Sequence, residues 1–314
     1  MNAFHRNIIL LLLFTIFCCT ASGQTLIPFQ DLSSKWGYKN SKDEIVIQPQ
    51  YKVAKEFQGK YAIVFQNDST EVIDSSRGLY FPLIGAIDTA NNLIVPIKYH
   101  YLQYMGNEQF VFGFRAKYFG EYFHGVITTK GKQILSPVYN AIYLMKHRYF
   151  VTLEKDTVLG IIDGMDFRGK STLHGLNDEE GREIIPCKYM GIRWASDSIL
   201  ILTKEVGRSE NILKTLEGLY TASGAALTPF KYIVIDNFKE GLAKVRVEEK
   251  YGFVDSKGQE VIPVKFQMAY PFEKGIAMIK ENDLWGAINI NGETIIPVSL
   301  SYQDAETQIK SLRK

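Results

Sequence analysis

Cysteine is almost absent from this chain. Its 314 residues hold three, and Cys18 and Cys19 lie within the first 23. The remaining Cys187 cannot close an internal disulfide, so packing alone must hold the fold together. Beside Pro186 on an apolar stretch, it reads as an inert small hydrophobe. A charge of one sign is missing too. Without residues 1–23 the chain loses Arg6 and no acidic residue, leaving 35 basic against 34 acidic side chains. That balance provides no electrostatic footprint for nucleic acid. Long apolar runs are confined to the start. Ile8 to Phe17 is apolar apart from Thr15, behind His5 and Arg6, and Ala21 and Gly23 precede Gln24 as small residues of a cleavage site. Residues 1–23 are therefore expected to be a secretory signal peptide. Lipoprotein processing at Cys18 or Cys19 is the weaker alternative, because Phe17 is too large for the position before a modified cysteine. No second apolar run is long enough to span a bilayer, so no transmembrane segment is expected in the mature chain. Export to the periplasm, cell surface or medium is the expectation.

Proline is scarce as well, and its placement is informative. Seven of the ten prolines recur at one phase: Pro49, Pro96, Pro137, Pro186, Pro229, Pro263 and Pro297. Each follows a glycine, at Gly37, Gly85, Gly125, Gly160, Gly218, Gly252 and Gly286, and six of the seven spacings are 11 or 12 residues. About seven like units are implied, starting near 36, 84, 124, 159, 217, 251 and 285. Abundant Tyr and Phe, 18 and 19 of them, suit strands better than helices.

The unit at 251–279 is the clearest. Tyr251 to Asp255 alternates as a strand, with Tyr251 and Phe253 on one face and Gly252 and Val254 on the other. Both faces are partly apolar, which predicts a small sheet covered on two sides by neighbouring units. Asp255-Ser256-Lys257-Gly258 is a hairpin turn. Glu260 to Phe266 is a second strand, and Pro263 within it requires an edge position or a bulge. Ile276 to Ile279 is a third. Two stretches are less regular: an insertion at about 164–180, and 204–216, where helix and strand remain equally open. Residues 303–314 read as a polar C-terminal tail. Leu26 to Phe29 resembles a third strand placed before Trp36, as Ile276 stands before Trp285. It could complete the last unit and close a propeller-like ring, which is preferred to an open stack. Alternatively, the hairpin of third and first strands is simply the building block.

Lys35-Trp36-Gly37-Tyr38, Leu284-Trp285-Gly286, the turn glycines, the Ile-Ile-Pro steps and the Phe-x-x-Gly-x-Ala segments resemble those of the WG-repeat, or KWG-repeat, family. The resemblance covers about residues 26–302. At the Trp position the other five units have Ile84, His124, Leu159, Glu217 and Tyr251. The resemblance implies an all-β repeat scaffold and no catalytic residues. An all-β array of about seven three-stranded units over 24–302 is thus the expected fold.

Gly164-Met165-Asp166-Phe167-Arg168-Gly169-Lys170-Ser171 matches a phosphate-binding loop in letters. The chemistry needs a helix opening behind it, and Thr172 to Leu176 has little helix character, so the match is read as coincidence. Asp163, Asp166, Asp178, Glu179 and Glu180 could attract a hard cation but read as a solvated charged loop. His100, His124, His147 and His174 have no metal-ligand spacing, and no cofactor is implied. The stretch 110–123 carries the best candidate site. Phe110, Phe112 and Phe114 alternate as strand core, while Tyr118, Phe119, Tyr122 and Phe123 surround Gly120 at a hairpin tip near Arg115 and Lys117. Arg115, Lys117, Tyr118, Phe119, Tyr122 and Phe123 could stack on sugar rings or anchor a protein partner. The alternative is that the tip folds over the adjacent unit and buries its rings. The expectation is an exported interaction scaffold whose partner is an envelope protein or polysaccharide. Competing readings are a glycan-acting enzyme with carboxylates distant in sequence, and a purely structural surface protein.

Overall fold

The computed structural model describes residues 25–74, 79–115, 121–162, 165–209 and 212–313. The proposed signal peptide lies outside them. The described residues form seven antiparallel sheets of three or four strands and one helix. Each sheet is a meander whose strands neighbour one another in chain order. Sheet six is representative, with Val234–Ile235, Leu242–Val247, Lys250–Asp255 and Glu260–Phe266. The third-type strand thus pairs with the glycine strand of the following unit. Ile27–Gln30 does the same with Trp36–Lys39 in sheet one. It does not complete sheet seven, which is built from residues 268–300 alone. The building block is therefore the third–first hairpin.

The glycine and proline spacing has a direct cause. In sheet six, Tyr251 pairs with Phe266 and Phe253 with Ile262, so Gly252 alone faces three residues across a bulge that holds Pro263. The strand is also the sheet edge. Both expectations for a strand proline are met at once. The bulge pushes backbone into the space above Gly252, where a Cβ would lie 2.7 Å from Ile262 O and Val264 N. Only glycine fits opposite the bulge.

This geometry corrects one anchor. Gly175 stands against the backbone of Cys187, the residue after Pro186, and His174 pairs with Tyr189 as Trp36 pairs with Tyr51. The anchor of the fourth unit is Gly175, not Gly160, and its Trp position holds His174, not Leu159. Gly175 precedes Pro186 by 11 residues, in line with the others. Gly160 lies far along a long ribbon, paired with Phe167. The supposed insertion is mostly strand, as Arg148–Ile162 and Met165–Asn177 pair nearly throughout. The stretch 204–216 likewise belongs to the hairpin of Ile199–Ser209 and Ile212–Thr221.

Each turn into a proline strand opens on a residue that accepts backbone N–H groups. The Asp255 carboxylate accepts from Lys257 N at 2.9 Å and Gln259 N at 2.8 Å. Asn40, Asp88, Asp178 and Asn289 act in the same way, and Thr128 and Thr221 accept one N–H each. Three residues later the backbone enters the left-handed region, at Asp43, Asn91, Gly131, Gly181, Gly224, Gly258 and Gly292.

The described residues divide into two compact units, one up to Lys98 and one from Tyr99 onward. In the first, Tyr38, Ile47 and Tyr51 of sheet one pack on Ala62, Val64 and Ile87 of sheet two. In the second, successive sheets bury apolar faces against each other. Val126 and Leu135 meet Tyr149 and Val151, Leu176 and Ile185 meet Leu200 and Leu202, and Ile201 and Leu219 meet Val245 and Val254. Phe253 and Ile262 then meet Ala277 and Ile288. The expectation of two covered faces holds, since Val254 packs toward sheet five and Phe253 toward sheet seven. The polar tail is largely helix α1 (Tyr302–Leu312), capped by Ser301, with Ala305 and Ile309 buried on sheet seven.

Candidate functional site

Sheets three and four leave a cleft of about 450 Å³ between their short edge strands, Tyr101–Gly106 and Ala141–Met145. Both strands alternate, so every second side chain faces outward. Val111, Ile142 and Met105 supply apolar floor, and Tyr101 and His124 supply rings, while Tyr104, packed against Phe110, and Tyr143, beside Ile142, leave their strands on the opposite faces and border the cleft at its rim. His124 is held edge-on to Tyr101, with centroids 4.8 Å apart, and Tyr122 lies 6.1 Å from His124. Tyr143 is 61% exposed.

The polar atoms of the cleft are oriented. His124 Nδ1 lies 2.9 Å from Asn140 O, which places the proton on Nδ1 and leaves Nε2 as an acceptor. Burial lowers the His124 pKa below its ordinary value, so the ring stays neutral near pH 7. The Tyr101 hydroxyl donates to Gln103 Oε1 at 2.5 Å. Burial, and secondarily the neighbouring Tyr143, raises the Tyr101 pKa and keeps the phenol protonated. The result is a neutral cleft of ring faces with hydroxyl, amide and imidazole groups. Such a surface can stack on a flat or ring-shaped ligand and hydrogen-bond its rim.

The aromatic stretch read from sequence is partly brought to this place. Tyr122 borders the cleft through Tyr101 and His124. Arg115 lies opposite Tyr122 in the ladder, and Phe123 opposite Phe114. Adjacent residues of a strand face opposite ways, so Phe123, 39% exposed, points away from Tyr122. Lys117, Tyr118 and Phe119 lie outside the described residues. Sequence reasoning missed Tyr101, Gln103, Tyr104 and Tyr143. The available signal was His124 at a Trp position, together with the tyrosine-rich stretch after Pro96.

The other sequence motifs find structural employment. Met165–Asn177 is strand, so no helix opens behind the phosphate-loop letters. Lys170 is tied to Glu121 and Glu154. Asp178 caps its turn and pairs with Arg182, Glu179 meets His147, and Glu180 meets Arg182. Among the described residues no group of three His, Cys, Asp or Glu could hold a metal ion. Cys187 donates to Leu173 O at 3.1 Å, and burial raises its thiol pKa to about 11, which makes it a poor nucleophile. Among the described residues no helix is long and apolar enough to cross a membrane.

The family comparison now has a geometry to explain. Three segments match the family described as WG containing repeat, at residues 36–68, 218–251 and 251–285. The chain carries WG repeats. No curated protein matches the sequence. Among solved structures, the β-propeller domain of the trilobed protease from Pyrococcus furiosus is similar, at 11% identity and a TM-score of 0.31, covering 79% of this chain and 84% of that one. Apo AztD from Citrobacter koseri is similar at 13% identity and a TM-score of 0.27, covering 88% and 81%. The acylaminoacyl peptidase of Pyrococcus horikoshii matches at 12% identity and a TM-score of 0.30, over 79% of this chain and 46% of that one. Likenesses this distant assign neither substrate nor partner.

The two histidines at the positions that correspond to Trp36, His124 and His174, imply a pH response. Burial lowers the pKa of both His124 and His174 from 6.5. The native state therefore binds fewer protons than the unfolded chain in this range. Their neutral forms contribute stability in full above pH 6.5, and that contribution is lost as pH falls through their lower native values. The melting midpoint should drop between about pH 7.5 and about pH 5, and His124→Phe/His174→Phe should flatten the drop. An unchanged slope in that variant would assign the response to other groups.

Proposed function

We propose that this WG-repeat chain is an exported binding scaffold of the cell envelope, and that its ligand is a polysaccharide held in the cleft between sheets three and four. Export rests on the sequence of residues 1–23. The observation that carries the binding reading is the cleft's lining, where the Tyr101 and His124 rings and the bordering Tyr104 and Tyr143 enclose about 450 Å³ with neutral polar groups among them. Sugar rings offer an apolar face to stack and hydroxyls to bond, which matches both features. Among the described residues, those lining the cleft carry no charge, and this favours a neutral ligand over a charged one. Repeat scaffolds commonly bind along surfaces that stacked units create together, as here.

The test is binding of soluble envelope-glycan fragments by the chain beginning at Gln24, beside a Tyr143→Ala variant. Because Tyr143 is exposed, its loss should leave the fold intact. We expect affinity to fall about tenfold, equivalent to about 1.4 kcal/mol. Binding that is equal in the two proteins would reject this cleft. Capture of an envelope protein with no glycan bound would reject the polysaccharide reading.

A further inference from the structure

Tyr101, Gly113 and His124 stand in one row across three strands of sheet three, Tyr101–Gly106, Gln109–Arg115 and Tyr122–Thr128. Residues directly opposite one another in a ladder share a face of the sheet. The middle one of this row has no side chain. A Cβ there would lie 3.0 Å from His124 Cδ2 and 3.1 Å from Tyr101 Cβ. The missing carbon is the room in which the two rings meet edge-on, with centroids 4.8 Å apart. Sheets four to seven fill the middle place of the same row with Thr152, Thr203, Arg246 and Lys280. Sheet three instead brings a phenol and an imidazole together at the wall of the cleft.

Both of these groups have already placed their protons. The Tyr101 hydroxyl donates to Gln103 Oε1, and the His124 Nδ1 proton goes to Asn140 O. Toward a ligand there remain the lone pairs of Tyr101 Oη and His124 Nε2, and the amide N–H groups of Gln103. All three residues line the cleft. Its two ring residues therefore act as acceptors. A sugar hydroxyl donates to an acceptor, whereas the ether or ester oxygen of a substituted hydroxyl has no proton to give. A site arranged to bond a hydroxyl discriminates against the analogue that lacks it, because its own polar groups are then left unpaired.

On the reading that the cleft holds a polysaccharide, we infer that it selects saccharides whose hydroxyls are free, with His124 and Tyr101 accepting from them. The ligand class is a neutral saccharide that is neither O-acylated nor O-alkylated where it meets sheet three. His124 is the specificity-determining residue. Gly113 is a positioning residue that lets the two acceptors converge.

The test compares soluble neutral envelope-glycan fragments, half of them fully O-methylated, for binding to the chain that begins at Gln24. The free form should bind at least about tenfold more tightly, the worth of about one hydrogen bond. His124→Phe keeps a ring beside Tyr101 and removes its acceptor nitrogen. It should weaken the free form about tenfold and leave the methylated form unchanged. Gln103→Leu acts in the other direction. Gln103 is exposed, so its loss keeps the fold, and the released Tyr101 proton donates to an ether oxygen. Methylated fragments should bind this variant several-fold better than they bind the unaltered chain. Equal binding of the two forms, or discrimination that survives both substitutions, would overturn the inference, and the cleft reading would stand as long as Tyr143→Ala still weakens binding. Fragments bound in neither form would remove the polysaccharide reading and this selectivity with it.

Discussion

Gly181→Ala should cost about 3–4 kcal/mol of stability, whereas Gly131→Ala should cost about 1–2 kcal/mol. The two glycines hold the same turn position in neighbouring sheets, with φ of +84° and +78°. Both substitutions force a Cβ into the left-handed region. They differ in what the Cβ meets. At Gly131 nothing lies within 4 Å, while at Gly181 the new carbon would sit 2.2 Å from Ile134 O of the preceding sheet. That carbonyl is backbone of the strand Gln133–Tyr139 and cannot swing aside as a flexible side chain could. Gly224 and Gly258 repeat the arrangement against Ile184 O and Leu227 O. The turn glycine therefore keys one sheet under its predecessor, and the difference between the two variants measures that contact alone. Chemical denaturation gives both values. Equal losses would mean that the sheets are not in register through their turns.

Phe253→Ala is the second large effect, at about 3–5 kcal/mol. Phe253 is fully buried, and its ring meets Phe272 at a centroid distance of 4.8 Å. It is the ring on which sheet seven is seated. At the equivalent place in sheet seven Ala287 faces α1 instead, and the small side chain admits the helix. Truncating Phe253 leaves a cavity between two sheets whose strands are held by their own ladders, so the void closes poorly. Phe253→Leu should lose much less, because most of the volume is kept. A loss near 1 kcal/mol for the alanine variant would show that the two sheets can collapse together, contrary to the packing described here.

Much of this was legible in the residues, for physical reasons. Gly252 and Pro263 report the bulge, because only one residue lacks a Cβ and only one lacks an N–H. Asp255 and Gly258 report the turn. The alternation of Phe253 and Val254 reports two covered faces. Gly160 misled because Leu159-Gly160 imitates an apolar-Gly anchor, while the ladder that identifies Gly175 is formed with residues near Cys187. The cleft was harder to read. Tyr101 and Tyr143 border one cleft because two sheets stack, and nothing local records which edge strands become neighbours. Tyr122 was singled out for its aromatic neighbours, yet its role comes from Tyr101 and His124 across the ladder. The burial of α1 was equally hidden, since two apolar residues in a polar tail acquire meaning only from the face they cover.

In the proposed function the cleft between sheets three and four receives the ligand. Its most direct test is to titrate the isotopically labelled chain 24–314 with envelope oligosaccharides and follow the backbone amide resonances. The account predicts progressive shifts at residues 101–105, 124 and 141–144, absent in Tyr143→Ala. Shifts confined elsewhere, for instance around Tyr270 and Tyr302, or no shifts with any oligosaccharide, would contradict it.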